Sequence, residues 1–346
     1  MIQKIRAYDE NRPECEVRIP TYKRPETLRR TIESLQQQTY PFWKAVILDN
    51  SSEQEAKSIV TAANDDRIIY QPHPKNIGGA KNIDLSLQPK SMLGCKYACA
   101  LEDDNYLYPA SIEENIETLK RENVSILLRN QEIRTDSKDG IPKATGDTTR
   151  GQWFKKGTYS PFDLYAMIFF CEGLSNGGLF WDTETIKTNF TLGDFYVQDG
   201  WYQEIFRSLR VTEPIFFDPR VGSVYTILED YKSASRGSNL PALFSTHPRY
   251  NRMAQAILRL LIKVYGEEII ERAKAIAAGN EENLRTLEYQ LLNAIYTKYP
   301  FQYVSMPERV LLIFKHSVRN FYSGNSFEEA LKSLTHLESM KKTSSM

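Results

Sequence analysis

Three consecutive carboxylates, Glu102-Asp103-Asp104, close the apolar run Tyr97-Ala98-Cys99-Ala100-Leu101. Like charges crowded at the mouth of a strand disfavour one another's ionised forms unless positive charge lies among them. A divalent cation held by oxygen ligands is therefore the first chemistry this pattern offers. Such a cation would in turn suit a phosphate. Upstream, Pro20-Thr21-Tyr22-Lys23-Arg24 can present a hydroxyl, backbone groups, an aromatic face and two cations to a base and its phosphates. Between the two lies Asp49-Asn50-Ser51-Ser52, a polar loop that can also cap a helix beginning near Glu53.

The elements that must position these groups alternate in type. Cys15-Glu16-Val17-Arg18-Ile19 reads as a short strand ending at Pro20, and Pro25 opens a helix with Leu28, Ile32 and Leu35 on one face. Ala45-Val46-Ile47-Leu48 is a fully apolar strand, and Arg67-Ile68-Ile69-Tyr70 a third. A Pro/Gly-rich loop over 71–79, a short helix over 80–87 and the apolar strand before the carboxylates follow. This rhythm predicts a parallel sheet with helices on its faces, whose ligands gather at the carboxyl ends of the strands. The three polar groups all fall at such ends. Residues 134–151, rich in Lys, Asp, Thr and Gly without periodicity, read as a mobile loop or an excursion between elements. An aromatic-rich middle follows, then a helical pattern over 249–299 and a last helix over 327–340.

Composition narrows the function. With 44 basic and 44 acidic residues the formal net charge is zero, so no global field draws the chain to nucleic acid, and a bound anion needs a local site. The N-terminus lacks a signal peptide's apolar core, and no apolar stretch approaches the ~20 residues of a membrane span. A soluble, cytoplasmic protein is expected. The four cysteines, Cys15, Cys95, Cys99 and Cys171, have no paired His/Cys partners that would complete a zinc site, and they read as buried free thiols. A dinucleotide fingerprint or a P-loop would place a glycine-rich turn after the first strand, where this chain has Pro20-Thr21-Tyr22.

Taken in order, Pro20-Thr21-Tyr22-Lys23-Arg24, Ser34-Leu35-Gln36-Gln37-Gln38-Thr39-Tyr40, Asp49-Asn50-Ser51-Ser52, Asn76-Ile77-Gly78-Gly79-Ala80-Lys81-Asn82 and Glu102-Asp103-Asp104 resemble the nucleotide-sugar-binding half of the family 2 glycosyltransferases. The resemblance implies the GT-A fold, an α/β architecture with a mostly parallel central sheet and helices on both faces. It places that fold at 1–240, with the nucleotide-sugar half at 1–130 and the acceptor and catalytic half at 131–240. A helical region over 241–346 follows. It also implies inverting transfer from a nucleotide diphosphate sugar, UDP-linked before GDP- or dTDP-linked, aided by Mn2+ or Mg2+. Glycan or polysaccharide biosynthesis is the expected setting.

Carried over residue by residue, Pro20, Thr21, Tyr22 and Arg24 would hold base, ribose and phosphates, and Asp49 would accept from a uracil ring. Lys81, where the family usually has arginine, can neutralise a phosphate only as a point charge. The acidic triplet corresponds to the family's D-x-D motif, with glutamate first. Asp104 would coordinate the metal, Asp103 would serve the ribose or a metal-bound water, and Glu102 would orient the donor. Downstream, Ser175-Asn176-Gly177-Gly178-Leu179-Phe180-Trp181 and Phe195-Tyr196-Val197-Gln198-Asp199-Gly200-Trp201 match the segment that carries the family's base. Asp199 is assigned that role, with Asp194 its rival and Asp182 a helix cap. Trp201 would join the acceptor site, and Arg236, His247 and Lys232 are candidates for a loop over the donor. Most other aromatics of the middle region read as core.

Expected partners are the nucleotide sugar and a hydroxyl acceptor, such as a glycan, a lipid-linked sugar or a protein side chain. The C-terminal helices could cover the sheet, form a dimer or make a peripheral contact with the inner face of the membrane. Their moderate charge favours protein packing. Two alternatives stand beside the enzyme: an inactive glycosyltransferase-like scaffold, and a sugar nucleotidyltransferase, whose glycine-rich loop after the first strand is absent here.

Overall fold

Fully apolar runs alternating with amphipathic ones give an α/β order. A computed structural model describes residues 14–136, 142–150, 154–170, 172–193, 200–228, 248–294 and 298–310. The chain begins β1 (Cys15–Thr21), α1 (Pro25–Gln36), β2 (Trp43–Asp49), α2 (Ala56–Ala63), β3 (Ile68–Pro72), α3 (Gly79–Ser86) and β4 (Tyr97–Ala100). It continues as β5 (Tyr106–Leu107), α4 (Ser111–Glu122), β6 (Ile126–Asp136), β7 (Lys143–Thr148), β8 (Gly157–Tyr159) and α5 (Pro161–Met167). After these come β9 (Leu179–Asp182), α6 (Gly200–Ser208), β10 (Ile215–Leu228), α7 (Pro248–Tyr265), α8 (Glu267–Ala277) and α9 (Glu281–Asn293). No described helix is long and apolar enough to cross a membrane.

The described residues fall into two compact units. The first takes in those within Met1–Thr149, Ser175–Lys187 and Phe216–Glu229. Its sheet has the order β3-β2-β1-β4-β9-β6-β10-β5, with β7 paired to β6. Strands β3, β2, β1 and β4 are mutually parallel, while β9 enters antiparallel between β4 and β6. The chain steps outward from β1 to β2 and β3, then returns to the other side of β1 with β4, which makes the β1/β4 boundary a topological switch point. Every residue of β1 is buried, as expected of a parallel strand covered on both faces. Helix α1, opened by Pro25, buries Leu28, Ile32 and Leu35 as its spacing predicts.

Strand β1 does not stop at Pro20 but runs on to Thr21, pairing Pro20 with Leu48 and Thr21 with Asp49. The missing N–H does no harm there. Arg18 faces β4 and its carbonyl accepts from Leu101, so Pro20 turns its nitrogen to the same side, past the last residue of β4. Two further expectations change. Helix α2 starts at Ala56 rather than near Glu53, after a turn in which Gln54 takes φ +56°. Part of the expected loop 134–151 is a hairpin, with β7 antiparallel to β6. Nearly all of β7 is exposed, so no apolar alternation marks it.

A buried ion pair braces this unit. Arg18 donates to Glu16 Oε1 from Nε at 2.7 Å, and its other nitrogens reach the carbonyls of Ser86, Gln88 and Lys90. Glu16 accepts from the backbone of Met92 and Leu93 and from the Ser91 hydroxyl. The segment leaving α3 is thereby tied to β1. Both side chains are fully buried. Arg18→Ala, which strands the carboxylate, is expected to cost about 3–5 kcal/mol in urea unfolding; a loss under about 1 kcal/mol would contradict this role.

The second unit takes in described residues within Arg150–Leu174, Thr188–Ile215 and Asp230–Met346. Its core joins Tyr165, Phe169, Phe206, Leu261, Ile269 and Leu291. Of the aromatics expected in cores, Tyr165, Phe169, Phe170 and Tyr202 in this unit and Trp181 in the first are buried, while Tyr159 is half-buried. Ser160 and Asp163 form a capping box at the start of α5. Cys15, Cys95 and Cys99, in the first unit, are buried free thiols.

Glu172 lies in a charged cluster of the second unit. Arg150 sits 3.6 Å from it and holds Glu204 at 2.5 Å. Burial, and secondarily the Glu204 charge against the opposing pull of Arg150, pushes the Glu172 carboxyl up to about 7. An unfolded glutamate titrates near ~4.3. Between those values the folded state keeps a proton that the unfolded chain has released. This contribution to stability is therefore full below about 4.3 and is lost as pH rises toward 7. Glu172→Gln should flatten the melting-temperature profile across that window; parallel profiles for both proteins would contradict the assignment.

Candidate functional site

At the carboxyl ends of β1 and β4 the chain builds one polar network. Asp103 is buried and accepts from the Thr21 hydroxyl at 2.7 Å and from the Tyr22 backbone at 3.3 Å. A single guanidinium nitrogen of Arg24 reaches Asp103 at 3.1 Å and Asp104 at 2.7 Å. Arg30, one face of α1 further on, donates to the Asp104 carbonyl at 3.0 Å and to Asp136 at 2.8 Å. The Thr31 hydroxyl meets the carbonyls of Asp103 and Asn105. Glu102 instead turns toward Asn105, whose side-chain amide donates to it at 3.1 Å. The triplet does not cap α4, which starts at Ser111 with Ala110 before it.

Asp49 ends β2 one strand over, level with Thr21. It is fully buried, accepting from the Ser51 backbone at 2.9 Å and from the Tyr70 hydroxyl at 2.9 Å. It is not the cap of α2. Burial, and next the Asp49 carboxylate, pushes the Tyr70 hydroxyl up, so Tyr70 stays a donor. Asn82 stitches the strand ends together, donating to the Leu48 carbonyl at 2.9 Å and the Thr21 carbonyl at 3.4 Å. Its oxygen meets His73 Nε2 at 2.8 Å. Lys81, the residue before it, is exposed on the first turn of α3. Tyr22 is 41% exposed, and Lys23 beside it takes φ +53° and pairs with Glu53. A non-glycine residue held in the left-handed region, as Lys23 is, marks a turn that the surrounding contacts fix.

Burial, and next the neighbouring Asp104, pushes Asp103 up to about 6, against the pull of Arg24 and Thr21. Burial likewise raises Asp104, with Arg24 the main opposing influence. The two carboxylates offer oxygen donors of the kind a hard cation takes. Among the described residues no group of three His, Cys, Asp or Glu side chains converges as a metal cluster. Magnesium or manganese taking one or two carboxylates, with phosphate and water oxygens completing the shell, fits what is here.

The triplet, Thr21, Tyr22 and Arg24 thus come together as the motif order predicts, with Asp49 alongside. Asp182 caps a turn rather than a helix, accepting from the Glu184 and Thr185 backbones. Asp194, Asp199, Lys232, Arg236 and His247 lie outside the described residues, and Trp201 is in the first turn of α6. Arg30, Thr31, Tyr70 and His73 carry no signal in the local sequence, whereas Asn82 closes the Asn76–Asn82 motif.

The sequence profile described as Glycosyl transferase family 2 matches residues 16–175, which takes in all of these strand-end residues. Residues 16–175 are a family 2 glycosyltransferase domain. This glycosyltransferase domain has a relative in the Escherichia coli protein named UDP-Glc:alpha-D-GlcNAc-diphosphoundecaprenol beta-1,3-glucosyltransferase WfgD, 26% identical over 117 residues. That alignment covers 33% of this chain and 44% of WfgD. Among solved structures, S. aureus TarS superposes with a TM-score of 0.53 at 14% identity, over 92% of this chain and 55% of TarS. TarS 1-349 in complex with UDP-GlcNAc gives a TM-score of 0.50 at 13% identity, over 96% of this chain and 92% of that one. The chain thus spans about half the length of WfgD and of the longer TarS structure. The glycosyltransferase domain has the α/β GT-A architecture, and helices follow it toward the C-terminus.

Proposed function

We propose that the chain is a metal-dependent inverting glycosyltransferase that moves a sugar from a UDP-sugar to a hydroxyl acceptor in glycan or polysaccharide biosynthesis. The observation that carries this reading is the meeting of Thr21, Arg24, Asp103 and Asp104 at the β1/β4 switch point, with buried Asp49 one strand away. WfgD, named for a UDP-Glc donor and a lipid-linked acceptor, supports the donor class and makes a lipid-linked sugar the leading acceptor.

In this account Asp104 holds a Mn2+ or Mg2+ ion, Asp103 keeps Thr21 and the Tyr22 backbone in place for the ribose, and Glu102 orients the donor. Bound there, the ion supplies neutralisation of the departing diphosphate. Tyr22, exposed beside Thr21, offers its face to the base, and Asp49 takes the hydrogen bond of a uracil ring once its surroundings admit one. Arg24 and Lys81 bring positive charge to the phosphates. Asp199, directly before α6, removes the acceptor hydroxyl's proton as that oxygen attacks the anomeric carbon. Trp201, in the first turn of α6, packs on the acceptor, and Arg236 and His247 belong to a loop over the donor. The transferase domain runs over 1–240, with the helical region after it.

Incubation with UDP-glucose, UDP-N-acetylglucosamine and GDP-mannose tests the reading. Nucleotide release from a UDP-sugar that depends on manganese or magnesium is expected. Release from none of them, with any acceptor glycan or lipid-linked sugar supplied, would favour the scaffold alternative.

A further inference from the structure

Gln131 on β6 is fully buried. Its Oε1 accepts the Ser175 hydroxyl at 2.6 Å, while its Nε2 has no hydrogen-bond partner. The opposite amide orientation only exchanges the orphan, since Ser175 would then accept and Oε1 would stand alone. A buried amide half left unpaired is costly and uncommon in a native interior, so its place in the fold asks for a reason.

That amide also lies close over the residue at 177. A Cβ on Gly177 would come within 2.8 Å of Gln131 Nε2, and one on Gly178 within 2.4 Å of the Arg129 carbonyl oxygen. The turn over 175–178 therefore lies flush on β6. Its location follows from the register: β9 runs between β4 and β6, with Phe180 facing Cys99 on one side and Leu127 on the other. Just before β9, residues 176–178 form a short 3-10 turn that packs against β6 and against β4, the strand that leads into Glu102 and Asp103. A sugar attached to a diphosphate at the triplet would find this turn as its neighbour.

We infer that Gln131 is a positioning residue for the transferred sugar, an inference that rests on the donor reading above. Holding Ser175 and filling the space over Gly177, it fixes the turn as a wall for the sugar. The residue thus acts on the sugar half of the donor and leaves the nucleotide half alone.

The test separates the two halves. UDP affinity with manganese is measured by calorimetry, and the kcat and KM of UDP release from UDP-glucose and UDP-N-acetylglucosamine by a coupled assay. Gln131→Met keeps the volume and removes the hydrogen bond to Ser175; it is expected to bind UDP within about twofold of wild type and to lose at least about tenfold in kcat. Ser175→Ala, cutting the same bond from the turn, should give the same split and serves if the first variant folds poorly. Gly177→Ala should lose activity alone and recover part of it when combined with Gln131→Ala, whose shorter side chain vacates the space. Wild-type kcat in Gln131→Met and Ser175→Ala, with UDP bound normally, would overturn the inference while leaving the donor reading standing. Wild-type protein that neither binds UDP nor releases it from any UDP-sugar would overturn both.

Discussion

Asp104→Ala should lower metal-stimulated release of UDP from a UDP-sugar by roughly 10³-fold and leave the fold intact. The size follows from the several kcal/mol of charge stabilisation that a bound cation gives a departing diphosphate, each ~1.4 kcal/mol being tenfold in rate. The fold survives because Asp104 supports little of it. Its carboxylate meets Arg24, and its removal leaves Arg24 with Asp103 at 3.1 Å and relieves that buried carboxyl of a like-charged neighbour. Asp103 is a poorer choice for the same test, since it holds both the Thr21 hydroxyl and the Tyr22 backbone. Comparing rates with manganese and with a chelator isolates the effect. A variant that kept more than a tenth of the metal-stimulated rate would remove Asp104 from the metal site.

Asp199→Asn is expected to bind UDP as wild type does and to lose 10²- to 10⁴-fold in transfer, the usual range for a positioned base. Asparagine keeps the size and the acceptor oxygen but cannot take the proton. Asp194→Asn, made in parallel, is expected to retain most of the activity. Should the two losses be reversed, the base is Asp194; should neither variant lose activity, the proton goes elsewhere and the mechanism assigned to this segment fails.

The βαβ rhythm and the ordered polar motifs were legible because each is a local pattern: apolar runs of strand length, one amphipathic helix face, and polar residues just past strand ends. The features that escaped join residues far apart in the chain. Tyr70 lies 21 positions from Asp49, Asn82 lies 61 from Thr21, and Ser175 lies 44 from Gln131. No spacing rule connects such pairs before the sheet brings them together. The Glu16–Arg18 pair shows a second limit, for alternating charges on a strand normally read as a solvated face, whereas here the segment after α3 folds over them. Strand β7 shows a third: an exposed hairpin arm needs no apolar alternation, so its polar sequence reads as loop.

The central claim, that the Thr21, Arg24, Asp49 and Asp103-Asp104 cluster receives a uridine diphosphate with a divalent cation, is tested most directly by thermal unfolding with UDP, GDP and dTDP, each with manganese or with a chelator. A ligand that binds only the folded state raises its melting temperature in proportion to saturation. Stabilisation of a few degrees by UDP with manganese, little by UDP with the chelator, and less by GDP or dTDP is expected. No shift with any of the three diphosphates, with or without the metal, would contradict it.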